Sequence, residues 1–234
     1  PPVGQRTQEA VEVSGSELER GIRVRDTRPG TEKIRDGVWR VLCRDFFQKY
    51  VCADDVVLDL GAGECCFLNN IRCKKKHAVE VSPELRKFAH DDVIWHCCQA
   101  EQMPELGSGS IDVVFASNFF EHLPDKDVMN RTLLEIRRVL KDGGKLMVLQ
   151  PNVRFSPTAY WDIYDHRIAL TDRSLIEALE LAGFRPLVVI PRFLPYTMRS
   201  SMPKHPLLVT LYLRIPLVWH LLGRQSFILA EKRG

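Results

Sequence analysis

Val56-Val57-Leu58-Asp59-Leu60-Gly61-Ala62-Gly63-Glu64-Cys65-Cys66-Phe67 is the stretch that decides the fold. Its unbroken apolar run suits a parallel strand buried on both faces. The run ends in an acid and a Gly-x-Gly turn, where glycines let the backbone pass close to a ligand. Glu80 closes a second apolar run about 20 residues further on, a spacing at which a carboxylate can bind both hydroxyls of a ribose. The pattern points to an adenosine-type cofactor.

Outward from this stretch, strands and helices alternate. Upstream, Ile34, Val38, Val41, Leu42, Phe46 and Phe47 recur at helical spacing over about 31–50. Downstream, a short helix is expected over 65–70 and a second strand over 77–81. Ser82-Pro83-Glu84 reads as a helix start with a capping serine. Strands are expected at 93–97, 111–116, 145–149, 185–190 and 226–231. Val128, Met129, Thr132, Leu133, Ile136, Val139 and Leu140 trace one helix stripe, stopped by Asp142-Gly143-Gly144. Thr171 caps a further helix that closes at Gly183. The rhythm predicts an α/β fold, a doubly wound, Rossmann-like and mostly parallel seven-stranded sheet with helices on both faces and an antiparallel last strand.

At 234 residues and 45% hydrophobic content, one domain over 31–234 is expected, preceded by a loose leader over 1–30. The net charge of +3 gives no reason to expect nucleic acid as a partner, and Lys74-Lys75-Lys76 reads as a solvated loop. The seven cysteines include two adjacent pairs and no Cys-x-x-Cys, which speaks against a disulfide framework or a zinc knuckle. Most of the cysteines lie in apolar segments, so a reducing cytoplasm is expected, and Pro1-Pro2-Val3-Gly4 shows no charged-then-apolar signal-peptide pattern. His205–Gly223, inside an apolar insertion at about 195–224, is too short and broken by Pro216 to span a bilayer. It reads as a helical cover over the substrate pocket or a dimer contact, with peripheral membrane contact as the alternative.

The ordered set Asp59-x-Gly61-x-Gly63, Glu80, Gln99-Ala100-Glu101, Asp112 with Asn118-Phe119-Phe120-Glu121-His122-Leu123, and Leu140-Lys141-Asp142-Gly143-Gly144 resembles the class I S-adenosylmethionine-dependent methyltransferases, in particular the bacterial type 11 group. The resemblance covers roughly residues 35–190. It implies that Asp59, Gly61, Ala62 and Gly63 line the amino-acid end of S-adenosylmethionine, that Glu80 binds the ribose and that Val81 packs on the adenine. Gln99, Ala100 and Glu101 would flank the adenine amino group, with Gln99 where the family usually has an acid. Ser117, Asn118 and His122 would face the methionine part. The family's third glycine is Cys65 here, which makes the turn less permissive.

Candidate catalytic residues are His122, His166 and Asp165, because an alcohol acceptor must lose a proton and a nearby base assists. Arg35 and Trp39 share a helix face and, with Tyr160, Trp161 and Tyr164 of the loop after strand five, are candidate substrate contacts. No metal site is expected, since the adjacent Asp165 and His166 side chains rarely converge on one ion. The reading is methyl transfer to a small molecule or glycan, most naturally a hydroxyl of a sugar or glycoconjugate, by a monomer or homodimer. Alternatives are N- or C-methylation of another metabolite, or a non-catalytic module of the same fold.

Overall fold

The computed structural model describes residues 31–195 and 205–234. The expected leader and residues 196–204 of the insertion lie outside the described residues. The order is α1 (Thr31–Asp45), β1 (Val56–Leu60), β2 (Lys75–Val79), β3 (Val93–His96), β4 (Ile111–Ser117), α2 (Lys126–Val139), β5 (Leu140–Pro151), a one-turn α3 (Pro157–Tyr160), α4 (Asp172–Leu181), β6 (Phe184–Ile190), α5 (Pro206–Arg214), α6 (Pro216–Leu222) and β7 (Gln225–Lys232). The sheet runs β3-β2-β1-β4-β5-β7-β6. Strands β1 to β5 pair in parallel, and β7 lies antiparallel between β5 and β6. The doubly wound sheet with an antiparallel last strand is therefore as expected.

Alternation along each strand divides the core between the two faces. Leu58 and Leu60 of β1 and Val114 and Ala116 of β4 meet the buried stripes of α2 and α4, including Leu133, Ile136, Leu175 and Leu179. Val57, Val113 and Phe115 point to the other face, where Phe46, Phe47, Phe67, Phe193 and Phe227 form an aromatic core under α1. Helix α2 starts where Asp125 accepts the Val128 amide at 2.8 Å, and α4 starts on a capping box between Thr171 and Ser174.

Four local expectations are corrected. Residues 65–70 form successive turns rather than a helix, because Cys65 enters them at φ 54°, outside the helical region. Ser82 begins a 3-10 turn (Pro83–Phe88) without a side-chain cap; its amide instead donates to Glu80. Lys75 and Lys76 belong to β2, and Lys76 pairs with Asp92 at 2.8 Å, so the lysine run is only partly loop. Helix α2 ends at Val139, and β5 already begins at Leu140, with Gly143 at φ 72° inside it.

Candidate functional site

The carboxyl ends of β1, β2 and β4 converge where a doubly wound sheet reverses its strand order, the place such sheets bind ligands. After β1, the Gly61 and Ala62 amides both donate to the Val79 carbonyl of β2, at 2.9 and 3.2 Å. Gly61 and Gly63 hold φ 67° and 53°, and a Cβ on Gly61 would collide with the Phe119 ring. Cys65 keeps a left-handed backbone although fully buried, so the cysteine at the expected third-glycine position retains the turn at a conformational cost.

Glu80 leaves β2 with its amide on the His96 carbonyl at 3.1 Å. One carboxylate oxygen accepts the Gly63 amide at 3.0 Å and the other the Ser82 amide at 3.1 Å. A carboxylate has about four lone-pair directions, so two remain for a ligand's hydroxyls. Asp59, at 4% exposure, lies on β1 two residues before Gly61. Burial, reinforced by the Glu80 charge, pushes its acid well above the usual carboxylate range. A cation beside this pair would reverse that shift, so the donor set suits a positively charged, hydroxyl-bearing ligand.

The remaining expected contacts surround this turn. Val81 is exposed, and Ala100 is buried in a turn where the Gln102 amide donates to the Gln99 carbonyl at 3.1 Å; Glu101 follows at its rim. Ser117 ends β4. Asn118 takes φ 48°, donates its amide to Leu149 at 2.8 Å and accepts Gln225 Nε2 at 3.1 Å. Asp112 lies at the far end of β4, where it accepts the Val56 amide and Lys141, a role in strand placement rather than in the site.

The second cluster follows Asn118. His122 Nδ1 lies 3.0 Å from Asp165 Oδ2, and its ring packs 5.0 Å from that of His166. Burial lowers the His166 pKa from the usual imidazole value. Glu121, for which the motif reading assigned no role, is fully buried: Gln150 donates to its Oε2 at 2.9 Å, and its Oε1 lies 3.6 Å from His122 Nε2. An acid between Phe120 and His122, directly after a buried strand, was the available signal.

The expected substrate contacts do not converge. Arg35 is ion-paired with Glu64 beside Gly63, tying α1 to the glycine turn rather than reaching outward. Trp39 stacks on Phe47 and meets Phe115 edge-on, as a member of the aromatic core. Tyr160 is fully buried, and its hydroxyl donates to the Ile168 carbonyl, which anchors the loop carrying Asp165 and His166. Trp161 and Tyr164 are 56% and 97% exposed on the same loop.

The sequence model described as a methyltransferase domain matches residues 58–148, which span the glycine turn, Glu80, Asn118 and the His122 segment. Residues 58–148 thus match a methyltransferase domain. Among solved structures, a chain of the Haloferax volcanii complex between the Trm112 methyltransferase activator and a methyltransferase aligns at TM-score 0.63 and 17% identity, covering 87% of this chain and 94% of that one. A S-adenosylmethionine-dependent methyltransferase from Archaeoglobus fulgidus aligns at TM-score 0.62 and 20% identity, covering 86% and 97%. The [4+2]-cyclase SpnF aligns at TM-score 0.59 and 20% identity, covering 85% and 80%, so the fold alone does not name the reaction. A comparison with curated proteins gave no match. The methyltransferase match implies S-adenosylmethionine as cofactor, and its sulfonium and ammonium charges suit the Asp59–Glu80 pair.

Proposed function

We propose that this methyltransferase transfers the methyl group to a hydroxyl of a small-molecule acceptor, with sugars and glycoconjugates as the best-matched class. The observation that carries the reading is the ionisable cluster Glu121, His122, Asp165 and His166 beside the loop after β4. An alcohol must shed a proton during transfer and gains about 10²–10⁴-fold from a positioned base, whereas an amine attacks through its own lone pair. The exposed Trp161 and Tyr164 on the loop of Asp165 offer flat apolar faces suited to a sugar ring.

In this reading Glu80 receives the ribose hydroxyls on the lone pairs left by Gly63 and Ser82, and Asp59 faces the ammonium. Gly61 and Gly63 admit the amino-acid end together with Ala62. Val81, Gln99, Ala100 and Glu101 flank the adenine, while Ser117 and Asn118 border the methionine part. When bound, S-adenosylmethionine supplies an electrophilic methyl on sulfur. The chain's own work is alignment, worth up to roughly 7–11 kcal/mol, and removal of the acceptor proton by the cluster in which Asp165 orients His122.

The deciding experiment is calorimetric titration with S-adenosylmethionine and its demethylated product, followed by transfer of labelled methyl to glycoside, amine and carbon acceptors. Methylated glycoside is expected. Turnover of amines alone would overturn the oxygen assignment, and cofactor binding with no turnover of any acceptor would favour the non-catalytic alternative.

We also infer that α5 and α6 rest on a lipid surface. Leu207, Leu211, Leu217 and Leu221 are 54–73% exposed, whereas the opposite side packs on α1, with Pro206 against Gly37 and Thr210 beside Arg44. No helix of the described residues is long and apolar enough to cross a membrane. An apolar face that lies in the interface is the arrangement this leaves for reaching a lipid-linked acceptor.

A further inference from the structure

We propose that Glu121, His122 and His166 form a binding site for a divalent transition-metal cation of the zinc class. One ligand atom from each residue lies within 4.8 Å of the other two. Bonds of about 2.0–2.2 Å place tetrahedral ligands roughly 3.4 Å apart, so the 3.6 Å edge between Glu121 Oε1 and His122 Nε2 already has bonding dimensions.

The independent sign is buried polar atoms that make no hydrogen bond. Glu121 Oε1 and His166 Nδ1 have no hydrogen-bond partner, although their residues are 0% and 7% exposed. A buried carboxylate oxygen without a partner is costly, and a cation is one of the few groups that offsets the cost.

The surroundings are those a metal centre requires. A ligating histidine normally gives its other ring nitrogen to a carboxylate or carbonyl, which fixes tautomer and orientation. His122 has Asp165 Oδ2 at 3.0 Å and the Asp165 carbonyl at 3.3 Å on Nδ1, which leaves Nε2 toward Glu121. The His166 ring packs against that of Tyr160, with centroids 4.4 Å apart. Gln150 fixes the second oxygen of Glu121. The Glu121 carbonyl accepts the Arg167 and Ile168 amides at 2.7 and 3.2 Å, which locks the two ligand-bearing segments together. Two imidazoles and one carboxylate suit zinc, cobalt or iron(II) rather than magnesium, which prefers oxygen and water.

The adjacency argument against Asp165-His166 as a ligand pair still holds: Asp165 orients His122, and His166 joins ligands from a different segment. The role of the ion rests on the proposed O-methylation; its binding does not. With a cation there, His122 and His166 hold the ion instead of serving as the base: the positive charge acidifies an acceptor hydroxyl, and water takes its proton. The new O–C bond forms as the methyl C–S bond breaks, and the sulfonium leaves as a neutral thioether.

The test uses the full chain stripped with a chelator and titrated calorimetrically with Zn²⁺, Co²⁺ and Mg²⁺. One equivalent of Zn²⁺ or Co²⁺ should bind, with affinity falling by about 100-fold or more in Glu121→Gln and His166→Asn, and Mg²⁺ should not compete. The Cys97→Ser/Cys98→Ser variant should bind as the wild type does. X-ray absorption of the zinc-loaded wild type should show only nitrogen and oxygen ligands, a readout that needs no folded variant. Absence of saturable binding, or sulfur in the zinc shell, overturns the proposal. Glycoside methylation unchanged by the chelator would refute the ion's role while leaving O-methylation standing. A zinc-loaded protein that methylates no hydroxyl would do the reverse.

Discussion

The Glu80 carboxylate and the Gly63 amide, 3.0 Å apart, join the second strand to the glycine turn that follows the first. The same carboxylate accepts the Ser82 amide, so one side chain sets the loops on both sides of the expected cofactor position. Glu80→Ala should therefore remove S-adenosylmethionine affinity and also loosen both loops. Glu80→Gln keeps one acceptor oxygen and should lose affinity while retaining most of the melting temperature. Calorimetry beside thermal melting separates the two effects; equal affinity loss and equal melting for both variants would count against a ribose role.

Asp59 should show a conflict between stability and function. A carboxyl whose folded pKa lies above its unfolded value binds more protons when folded, so its contribution to stability falls as pH rises through that interval. Asp59→Asn should flatten the decline of melting temperature as pH rises above about 4, the ordinary carboxylate value, and raise it at neutral pH. The same variant should bind S-adenosylmethionine weakly. In the wild type, the cation favours ionised Asp59, so affinity should rise with pH and binding should release protons.

The left-handed backbone of Cys65 predicts an ordered substitution series. Glycine relieves strain of about 1–3 kcal/mol but gives up a fully buried side chain, so Cys65→Gly should lie within about 1 kcal/mol of wild type. Cys65→Val adds a β-branched residue at φ 54° and should cost more than about 2 kcal/mol. Denaturant unfolding of both variants checks the order, and a valine variant as stable as the glycine one would contradict it.

His77 and His96 form a buried chain to an acid, with His77 Nδ1 2.8 Å from His96 Nε2 and His96 Nδ1 2.6 Å from Glu105. Burial, with the charge of His96 second, lowers the His77 pKa to about 4. The unfolded chain then binds more protons between about pH 4 and pH 6.5, so stability should rise with pH across that window. His77→Gln should reduce the slope in melting experiments across the same range.

Lipid contact predicts that the protein sediments with anionic vesicles and that Leu217→Glu with Leu221→Glu abolishes this without lowering the melting temperature. Trp219 is unsuitable for the test, because it packs on Phe46 and Phe193 and donates to the Tyr212 carbonyl at 2.8 Å. Failure of the wild type to sediment would remove the lipid reading.

Strand β1, the Gly-x-Gly turn, the acid after β2, the α2 stripe and the Thr171 cap were all legible in the amino-acid order. Each is a local pattern whose physics acts within a few residues: continuous apolarity, left-handed glycines, 3.6-residue periodicity and a side chain that caps its own helix. Other features depended on contacts between distant segments. Arg35 found Glu64, Trp39 joined Phe115, and Tyr160 turned inward to Ile168, so three candidate substrate contacts engage other segments of the chain. Glu121 and His166 lie 45 positions apart, and only the packing of the post-β5 loop onto the end of β4 buries them together beside His122. Sequence alone thus determined the sheet, the cofactor class and the residues at the strand ends. Tertiary structure decided which ionisable groups lie close together, because burial and convergence belong to the packed chain and have no periodicity along it.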